Sequence, residues 1–432
     1  MPSPDSNRRR VAITGLGSIS ALGCSVPAFW DALVHGRSGV GRLTTFEEDP
    51  FPCPIGGQAW DFEPSQHFSE AQIDLLDRST LLALAAAEEA RRDAGLQLPV
   101  DAPDRIGVAI GTALGGATSE DRAFHRLYAE RRRTHPLTIP KIMYSAPASH
   151  VTMALGIQGP TICISTACAS GTQAIGEAAE MIRAGRADVM LAGGADAPLS
   201  FGVMKAWEAM RVLAPAGDDP ATACRPFSRD RRGLVLGEAA GIVVLEDWEH
   251  AMRRGARIYA ELAGYGATAD ARHITHPGLE APARAIEHAL RQAGLAPDAV
   301  GYVNAHGSAT LVNDAAETAV LKHVFGDHAR HLLISSTKSM HGHAMGASGA
   351  LEIIACVLAI VNDIIPPTAN YTEPDPDCDL DCVPRVARRA RVDATISNSF
   401  AFGGLNAVLA VTRAPGSSTI SALPDRVPPH ST

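Results

Sequence analysis

Short apolar runs rich in Val, Ile and Leu alternate along the chain with longer stretches that have a helical spacing of apolar residues. The apolar runs predict strands at Val11–Gly15, Arg105–Gly111, Val189–Gly193, Gly241–Leu245, Tyr259–Tyr265, Gly301–Ala305, Leu332–Ser336, Ala394–Ser397 and Ala407–Val411. The longer stretches predict helices at Thr80–Ala94, Gly171–Ala184, Ala281–Ala293, Asp314–Val324 and Gly349–Asn362. Gly95 and Gly294 follow two of these helices and are expected to end them. The alternation of strands and helices predicts an α/β fold with largely parallel sheets.

The two halves of the chain carry similar patterns. A predicted strand runs into T-G-L-G at residues 14–17 in one half and into A-G-Y-G at residues 263–266 in the other. In each half a helix ending in A-G-L follows, and then a strand that ends in a glycine turn. This repeated pattern predicts a duplicated α/β unit, and we place its halves at residues 1–256 and 257–414. Residues 415–432 contain Pro, Ser and Arg and are expected to form a disordered tail.

Composition narrows the class of protein. The 432 residues are 46% hydrophobic and 20% charged, with a mean hydropathy of +0.02, which excludes a disordered or fibrous chain. The net charge of −9 and the pI of 6.0 give no basic footprint, so nucleic acid is not an expected partner. The apolar segment Ala350–Val361 is shorter than the ~20 residues that span a bilayer, so no membrane is expected. Glycines interrupt the mildly apolar run Val11–Gly23, which argues against a signal peptide and for a cytoplasmic protein.

Cysteine usage points to a reducing compartment. Eight cysteines stand at positions 24, 53, 163, 168, 224, 356, 378 and 382. Cys378 and Cys382 form a C-x-x-x-C pair, but no second pair or suitably spaced histidine accompanies them, so no metal site is expected. The scatter is typical of buried free thiols, one of which could be reactive. Lysine is rare among the 38 basic residues, since only four are lysines, and Lys338 is one of them.

The segment G-P-T-I-C-I-S-T-A-C-A-S-G places Cys168 after a β-branched run and at the mouth of a predicted helix. A thiol there faces the positive end of the helix dipole and unpaired N–H groups, which favour the thiolate. Small neighbouring residues leave room for a substrate, and the same turn can direct a backbone N–H toward a developing oxyanion. Cys168 is therefore a candidate nucleophile, and the alternative is a buried structural cysteine such as neighbouring Cys163.

Three further motifs follow predicted strands. His306 stands in N-A-H-G-S-A-T, at a sheet edge where α/β proteins place ligands. Lys338 and His343 stand in S-S-T-K-S-M-H-G-H, in which H-G-H is only a weak metal signal. Phe402 stands in S-N-S-F-A-F-G-G-L-N, where the glycine pair lets the backbone approach a ligand and offers another N–H. Each motif taken singly is equally compatible with an ordinary turn.

Taken together and in this order, the motifs T-A-C-A-S-G, N-A-H-G-S, S-T-K-S-M-x-G-H and S-F-x-F-G-G resemble the β-ketoacyl-ACP synthase family of KAS I/II type, where ACP is acyl carrier protein. The resemblance covers about residues 9–413, nearly the whole chain. It implies the thiolase-like fold, in which two duplicated α/β halves form an α-β-α-β-α five-layered core, normally as a dimer. It also implies a Cys-His-His site, unlike the Cys-His-Asn of KAS III enzymes or the second catalytic cysteine of thiolases.

The resemblance implies roles for five residues. Cys168 would take an acyl chain from acyl-ACP as a thioester. The N–H groups of Cys168 and Phe402 would form the oxyanion hole, and Phe402 would gate the acyl pocket. His306 and His343 would promote decarboxylation of malonyl-ACP and stabilise the enolate that attacks the acyl group. Lys338 would pair with acidic residues and tune the histidines.

Other residues match positions that the family uses around its site. The resemblance implies supporting acidic residues at Asp314, Glu317 and Glu352. It implies pantetheine contacts at Ser308 and Thr310 and an acyl pocket at Leu114 and Ala146. It implies neither a metal nor a cofactor of the protein's own, because 4'-phosphopantetheine is carried by the ACP substrate. The acidic carrier is expected to dock on a basic patch, for which Arg131–Arg133 and Arg225–Arg232 are candidates.

Several positions depart from the family pattern. H-G-S-A-T stands in place of H-G-T-S-T, and S-F-A-F in place of S-F-G-F, which stiffens the gate because alanine adopts positive φ less readily than glycine. The residues of Ser145–Ser149 are small, which predicts a larger or differently shaped acyl pocket. Ile364–Asp381 resembles the ketosynthase subunits of type II polyketide systems, whereas T-A-C-A-S-G and S-F-x-F-G-G look more like fatty-acid enzymes.

The expected function is therefore decarboxylative Claisen condensation of malonyl-ACP with a Cys-bound acyl chain, in type II polyketide or fatty-acid biosynthesis. The departures favour specialised metabolism. The chain would act as a homodimer or pair with a chain-length-factor-like subunit. Two alternatives are a housekeeping fatty-acid KAS II homodimer and a mainly structural ketosynthase-like partner subunit. The joint presence of Cys168, His306, Lys338 and His343 argues against the second.

Overall fold

The strands and helices below come from a computed structural model, which describes residues 8–43 and 55–415. The strands are β1 (Val11–Ile19), β2 (Gly41–Arg42), β3 (Ile55–Gly56), β4 (Ile106–Gly111), β5 (Thr161–Ile164), β6 (Val189–Asp196), β7 (Ala239–Asp247), β8 (Ala260–Ala269), β9 (Tyr302–Asn304), β10 (Leu333–Ser335), β11 (Ile364–Ile365), β12 (Arg388–Arg389), β13 (Ala394–Ala401) and β14 (Leu405–Arg413). The helices are α1 (Val26–Val34), α2 (Glu70–Leu75), α3 (Arg78–Asp93), α4 (Ala117–Tyr128), α5 (Thr138–Ile142), α6 (Ala146–Leu155), α7 (Ser170–Arg183), α8 (Phe201–Ala209), α9 (Trp248–Arg253), α10 (Glu280–Ala293), α11 (Leu311–Phe325), α12 (Lys338–His341) and α13 (Ser348–Asn362). Cys53 and the tail beyond Pro415 lie outside the described residues.

The strand order repeats between the two halves of the chain. Ten strands hydrogen-bond in the order β10-β9-β13-β14-β8-β1-β7-β6-β4-β5, so β5-β4-β6-β7-β1 and β10-β9-β13-β14-β8 follow one order. The strand directions repeat as well. In each half one strand, β4 or β9, pairs in parallel with both of its neighbours, and another, β7 or β14, pairs antiparallel with both of its neighbours. The halves join at β1 and β8, through Ala12 opposite Glu261 and Ile13 opposite Ala260. This repetition confirms the duplication that the sequence predicts. The expectation of largely parallel sheets is wrong, because β1, β7, β8 and β14 pair only antiparallel.

Three apolar clusters separate these elements into five layers. Side chains alternate between the faces of a strand, so in β7 Ile242 packs under α3 and α6 while Val243 packs against α7 and α13. In β14, Leu409 joins the same central cluster while Val408 faces α10 and α11. The layers are therefore α3 and α6, one half-sheet, α7 and α13, the other half-sheet, and α10 and α11. This is the α-β-α-β-α core that the resemblance implies.

The central layer brings the two halves together at very short range. A Cβ atom on Gly171, at the start of α7, would lie 2.5 Å from the carbonyl oxygen of Gly346, and one on Gly194 in β6 would lie 2.4 Å from it. Only glycine permits such an approach of backbone to backbone. These glycines therefore let the turn before α13 lie directly against the first turn of α7, where the candidate nucleophile stands.

The central helix α13 explains the most apolar segment of the sequence. Met345–Asn362 is long and apolar enough to cross a membrane by length and composition, with a mean hydropathy of 1.8. It is 89% buried inside the protein, between the two half-sheets. Its apolar character is therefore accounted for by the core, since a helix that is hydrophobic all round is a buried one.

All the predicted strands and helices are present, with shifted ends. For example, α11 begins at Leu311 rather than at Asp314. Gly95 and Gly294 follow α3 and α10 with positive φ values, as expected. The sequence patterns missed β5 and several helices, α1, α4, α6 and α8 among them. Of these helices, α4 buries only Ala117, and its larger apolar residues Phe124, Leu127 and Tyr128 are exposed.

Candidate active site

A strained turn between β5 and α7 presents Cys168. Ala167 takes a left-handed φ of 50°, which is unfavourable for a residue with a Cβ. The Ser170 hydroxyl holds this turn by donating to the Ala167 carbonyl at 2.6 Å and accepting from the Thr166 N–H at 2.9 Å. The Cys168 side chain consequently stands at the start of α7, buried but facing a pocket.

The Cys168 sulfur is surrounded by three hydrogen-bonding groups. Its Sγ atom lies 3.0 Å from Nε2 of His343, and the backbone N–H groups of Cys168 and Phe402 are directed at it. Burial nevertheless raises the pKa of the thiol to about 12, outweighing the opposing effects of the Lys338 charge and of the two N–H groups. The expectation that the helix terminus favours a thiolate is therefore wrong for the free protein. We infer that the thiol keeps its proton and donates it to Nε2 of His343, 3.0 Å away.

His306 and His343 face each other beside this sulfur. Their ring centroids are 5.5 Å apart with the planes nearly perpendicular, and one nitrogen of each ring lies within 4.8 Å of the other and of the sulfur. His343 is fixed from behind by Ser348, whose Oγ lies 2.8 Å from Nδ1. Among the described residues, Nδ1 of His306 has no hydrogen-bond partner. We infer that this nitrogen carries no proton and that the N–H of His306 faces the pocket.

Both histidines are held neutral. The pKa of each lies well below the ordinary imidazole value, first because burial penalises the cation and second because the Lys338 ammonium lies near. A neutral imidazole can donate one hydrogen bond and accept another without bringing a charge into the pocket. The pair is thus suited to stabilising a developing oxyanion.

Lys338 lies behind the histidines and is fully buried. Its Nζ atom donates to the backbone carbonyl of His306 at 2.6 Å and forms an ion pair with Glu352. Both side chains of this pair are fully inaccessible to solvent. The implied partnership between Lys338 and an acidic residue is therefore realised through Glu352, from helix α13.

The other two implied acidic residues hold the backbone around the site. Glu317 accepts the N–H groups of His306 at 2.9 Å and Gly307 at 2.8 Å, which fixes the turn that carries His306. Burial raises the pKa of this carboxyl group to about 7, against the effect of these donors. Asp314 instead accepts the N–H of Phe227 at 2.8 Å and lies 3.7 Å from Nε of Arg231. It thus stabilises a neighbouring segment and not Lys338 directly.

The pocket that these residues face contains most of the implied site. Its lining includes Cys168, His306, Ser308, Thr310, His343 and Phe402. The hydroxyl groups of Ser308 and Thr310 lie 3.0 Å apart, and Thr310 caps α11 by accepting the N–H of Asn313. Leu114 and Ala146 lie outside this lining: Leu114 follows β4, and Ala146 begins α6. Their assignment to an acyl pocket stays a prediction.

The loop at Phe402 closes one side of the pocket. The Phe402 ring stacks on Trp207, with centroids 5.8 Å apart and planes 22° from parallel. Ala401, where the family usually has glycine, is extended with φ −101°, so alanine is unstrained in this conformation. The positive φ values fall on the next two residues, Gly403 and Gly404. Alanine at 401 would restrict the loop only in conformations that need a positive φ there, so the predicted stiffening of the gate stays a prediction.

The candidate basic patches differ in how free their charges are. Arg131–Arg133 are exposed. Within the 225–232 segment, Arg231 is buried and paired with Asp375, and Arg225 is paired with Asp230. Arg231 is therefore structural and not available for docking, and in the other patch Arg132 lies 3.5 Å from Glu130.

The motif H-G-H does not form a pair of ligands. His341 lies behind the site, with Nε2 3.0 Å from the hydroxyl of Thr337, while His343 faces the pocket. Among the described residues, Cys168, His306 and His343 are three side chains of ligand type that lie close enough together to hold a metal ion. That the site works without a metal stays a prediction.

Asp196 is a positioning residue that the sequence motifs did not reveal. It stands fully buried at the end of β6, where one oxygen accepts the Thr112 hydroxyl and the Leu114 N–H, at 2.7 and 3.1 Å. The other accepts the N–H groups of Ala113 and Gly346, at 2.8 and 2.7 Å. It thereby ties the loop after β4 to the turn that follows His343. The sequence signal that could have revealed it is a single carboxylate at the end of an otherwise apolar strand.

We expect an Asp196→Asn variant to be less stable and less sensitive to pH. Burial raises the pKa of Asp196 to about 6, from the ~4 of an unfolded chain. Because the folded protein then holds a proton that the unfolded chain releases, the free energy of unfolding falls as the pH rises from ~4 to about 6. Asparagine cannot titrate, and its NH₂ group would face two backbone donors at a cost of ~1–3 kcal/mol.

Urea denaturation of both proteins at pH 4.5 and pH 7 measures these effects. The difference in unfolding free energy between them should be larger at pH 4.5 than at pH 7. A difference that is the same at both pH values would contradict the raised pKa.

Comparison with known proteins identifies relatives over nearly the whole chain. The family model described as "Beta-ketoacyl synthase, N-terminal domain" matches residues 8–251, and "Beta-ketoacyl synthase, C-terminal domain" matches residues 259–372. "Nodulation protein E" of Rhizobium sp. (strain N33) is 49% identical over 403 residues, covering 93% of this chain and 98% of the relative. "3-oxoacyl-[acyl-carrier-protein] synthase 2" of Synechocystis sp. is 42% identical over 409 residues, covering 93% and 98%.

Solved structures agree with these relatives. "The ishigamide ketosynthase/chain length factor" matches with a TM-score of 0.89 and 36% identity. The match covers 94% of this chain and all of that one. The fold is thus shared over nearly the whole chain.

Proposed function

The chain belongs to the beta-ketoacyl synthase family, and we propose that it extends acyl chains on ACP by decarboxylative condensation with malonyl-ACP, in a specialised pathway. Its family makes it an acyl-transferring condensing enzyme. One observation carries the proposed chemistry: Cys168 Sγ lies 3.0 Å from Nε2 of His343, with two backbone N–H groups directed at the same sulfur.

In the first step the acyl chain moves from ACP to Cys168. The sulfur attacks the thioester carbonyl, the bond from that carbon to the pantetheine sulfur breaks, and the thiol proton passes through Nε2 of His343 to the leaving sulfur. The hydroxyl of Ser348 can donate to Nδ1 or accept from it, so His343 keeps its hydrogen bond in either tautomer. The N–H groups of Cys168 and Phe402 stabilise the oxyanion.

In the second step malonyl-ACP loses CO₂ and the resulting enolate attacks the acyl group. Before this step His343 changes tautomer: Nδ1 releases its proton, Nε2 takes one up from water, and the Ser348 hydroxyl then donates to Nδ1. Neutral His306 and His343 can then both donate hydrogen bonds to the enolate oxygen, so no strong base is needed. The enolate carbon bonds to the acyl carbonyl carbon, and the bond from that carbon to the Cys168 sulfur breaks. The products are CO₂ and a β-ketoacyl-ACP, and the released sulfur takes one proton from solvent.

The pantetheine arm of ACP would contact Ser308 and Thr310, which line the pocket together with the histidines. Their hydroxyl groups can donate to the amide carbonyls of the arm. This arm is part of the substrate, so we propose that the enzyme needs no cofactor of its own. The seven described cysteines are free thiols, which supports our proposal of a cytoplasmic location.

The relatives support a specialised pathway and a paired subunit. Identity to the nodulation protein, 49%, exceeds identity to the 3-oxoacyl-ACP synthase 2 of Synechocystis, 42%. The similar ishigamide ketosynthase is named together with a chain length factor. We propose that this chain works as a dimer whose second subunit is a chain-length-factor-like protein or a second copy. The 42% identity favours, as the second candidate, a housekeeping fatty-acid enzyme acting as a homodimer.

Mass spectrometry of carrier-bound products tests the proposal. Purified protein, alone and with a candidate chain-length-factor subunit, is incubated with acyl-ACP of several chain lengths and with malonyl-ACP. A β-ketoacyl-ACP longer by one two-carbon unit is expected. Product from the chain alone favours a homodimer, whereas acylated Cys168 without product until the second subunit is added favours the pair. Absence of acylation at Cys168 would overturn the nucleophile assignment.

We expect Ala146→Met to shorten the products if Ala146 lines the acyl pocket. Ala146 is buried at the start of α6, so a larger side chain there takes up space inside the protein. The measurement is the product-length distribution of the variant. Ala154→Met, on the exposed face of the same helix, is the matched control and should leave the distribution unchanged. An unchanged distribution in Ala146→Met would show that the pocket hypothesis is wrong.

A further inference from the structure

Two segments with the same H-x-x-H spacing have different geometries. In the segment 328–331, the rings of His328 and His331 are 6.2 Å apart, and Nε2 of His328 is bonded to the Val300 carbonyl. In the segment 273–276, the rings of His273 and His276 are 4.5 Å apart and point nitrogen to nitrogen. Spacing alone therefore does not distinguish these pairs, but side-chain placement does.

The second pair is arranged as two ligands of one metal ion. Nδ1 of His273 and Nδ1 of His276 are 3.1 Å apart. Two nitrogens bound to one tetrahedral Zn²⁺ at ~2.0–2.1 Å would be separated by ~3.3 Å. The hydroxyl of Thr275 lies 3.4 Å from the first nitrogen and 3.3 Å from the second, so the three atoms form a nearly equilateral triangle. Nδ1 of His273 also accepts the backbone N–H of Thr275 at 3.1 Å, so an ion bound at this triangle replaces that hydrogen bond and the one between the two rings.

We propose that His273 and His276 form a binding site for a divalent transition metal, Zn²⁺ or Cu²⁺, at the mouth of the active-site pocket. Imidazole nitrogen is a preferred ligand of both ions, and of these Cu²⁺ binds such sites more tightly. The Thr275 hydroxyl and water complete the coordination. Both histidines are exposed, so the ion enters from solvent. This binding does not depend on the proposed condensing activity.

The site is linked by hydrogen bonds to the loop of Phe402. The Gly403 N–H donates to the carbonyl of Ile274, between the two histidines, at 2.7 Å. The Asp270 N–H donates to the carbonyl of Gly404 at 2.9 Å. An ion bound at His273 and His276 therefore fixes the segment against which the gate rests. Such an ion also narrows the mouth of the pocket, so we expect it to slow turnover.

The same pocket contains a second candidate metal site, and the test must distinguish the two. Cys168, His306 and His343 also present ligand atoms within 4.8 Å of one another. Binding there needs a thiolate, because sulfur ligates as the anion. All three of these residues are buried, whereas His273 and His276 are exposed, so an ion arriving from solvent meets the histidine pair first. The two sites share no residue, so single substitutions separate them.

Calorimetric titration with Zn²⁺ tests the proposal on the full chain carrying no affinity-tag histidines. We expect one equivalent to bind, His276→Ala and His273→Ala each to raise the dissociation constant at least ~10-fold, and Cys168→Ala to leave it unchanged. His331→Ala is the matched control, since it removes one exposed histidine from the other H-x-x-H segment. Near-ultraviolet circular dichroism checks that each variant is folded.

Electron paramagnetic resonance of the Cu²⁺-loaded protein gives an independent readout. Nitrogen hyperfine structure from two imidazoles is expected in wild type, and from fewer in His276→Ala. Zn²⁺ should slow turnover of wild type relative to its metal-free rate, and should not slow His276→Ala relative to its own. Binding that survives both histidine substitutions, or that is lost in Cys168→Ala, would overturn the proposal. Inhibition that is equal in wild type and His276→Ala would overturn the link to the gate.

Discussion

A Cys168→Ala variant is expected to form no β-ketoacyl product while it continues to decarboxylate malonyl-ACP. The acyl chain has no attachment point without the sulfur, so condensation should fall at least ~10³-fold. In the proposed mechanism His306 and His343 hold the enolate, and each is held by a group other than the sulfur: Glu317 fixes the His306 turn, and Ser348 bonds to Nδ1 of His343. The decarboxylation half of the reaction should therefore persist, with acetyl-ACP as its product.

A His306→Ala variant should separate the two half-reactions in the opposite way, keeping acylation and losing decarboxylation. Cys168, His343 and the two backbone N–H groups remain, so the enzyme should still become acylated. The enolate loses one of its two hydrogen-bond donors, so decarboxylation and condensation should both fall. Intact-protein mass spectrometry detects the acyl group, and carrier mass spectrometry detects acetyl-ACP and β-ketoacyl-ACP.

Cys163→Ala is the matched control for the Cys168 variant. Cys163 lies in the same segment, on β5, and its Sγ donates to the carbonyl of Tyr144 at 3.1 Å. It should retain condensation. A Cys168→Ala variant that still elongates acyl-ACP would contradict the assignment and would direct attention to another nucleophile. Loss of decarboxylation together with condensation would mean that the sulfur helps to build the enolate site.

The positions of the catalytic groups follow from the sequence because each stands just after a strand. Cys168 follows β5, His306 follows β9, Lys338 follows β10, and Phe402 follows β13. Parallel strands β9, β10 and β13 end at one edge of their half-sheet, so their motifs must lie together. The duplication then implies that Cys168, from the other half, occupies an equivalent edge. The strand order that brings the two edges together needed the structure.

Partner choice among buried charges could not be read from the sequence. The resemblance implied supporting acidic residues at Asp314, Glu317 and Glu352, and the sequence did not show which of them Lys338 pairs with. The backbone N–H groups of the His306 turn engage Glu317, and Phe227 and Arg231 engage Asp314. The thiol pKa was misjudged for a related reason, because a dipole was visible in the sequence and complete burial was not.

Lys338 should be the residue whose single replacement destabilises the protein most. A Lys338→Met variant leaves the Glu352 carboxylate fully buried without its cation. Among the described residues, the second oxygen of Glu352 already has no hydrogen-bond partner. Removing one partner of a buried ion pair typically costs ~3–5 kcal/mol, so we expect a loss of this size in the free energy of unfolding. Denaturant titration measures it.

Lys322→Met is the matched control for this loss. Lys322 also pairs with a carboxylate, that of Asp379, but both side chains are about half exposed. Exposed pairs contribute ~0–1 kcal/mol, so this variant should unfold almost as wild type does. Equal losses in the two variants would contradict the role of burial in the Lys338 pair.

The double variant Lys338→Met/Glu352→Gln separates the structural role of Lys338 from its effect on the histidines. Without the unpaired carboxylate, much of the lost stability should return. The Lys338 charge is also absent, and after burial this charge is the second cause that lowers the pKa of His306 and His343. Their pKa values should therefore rise, and the acid limb of the pH–rate profile should move to higher pH. An unchanged acid limb would mean that burial alone keeps the histidines neutral, and that Lys338 acts by holding the His306 carbonyl.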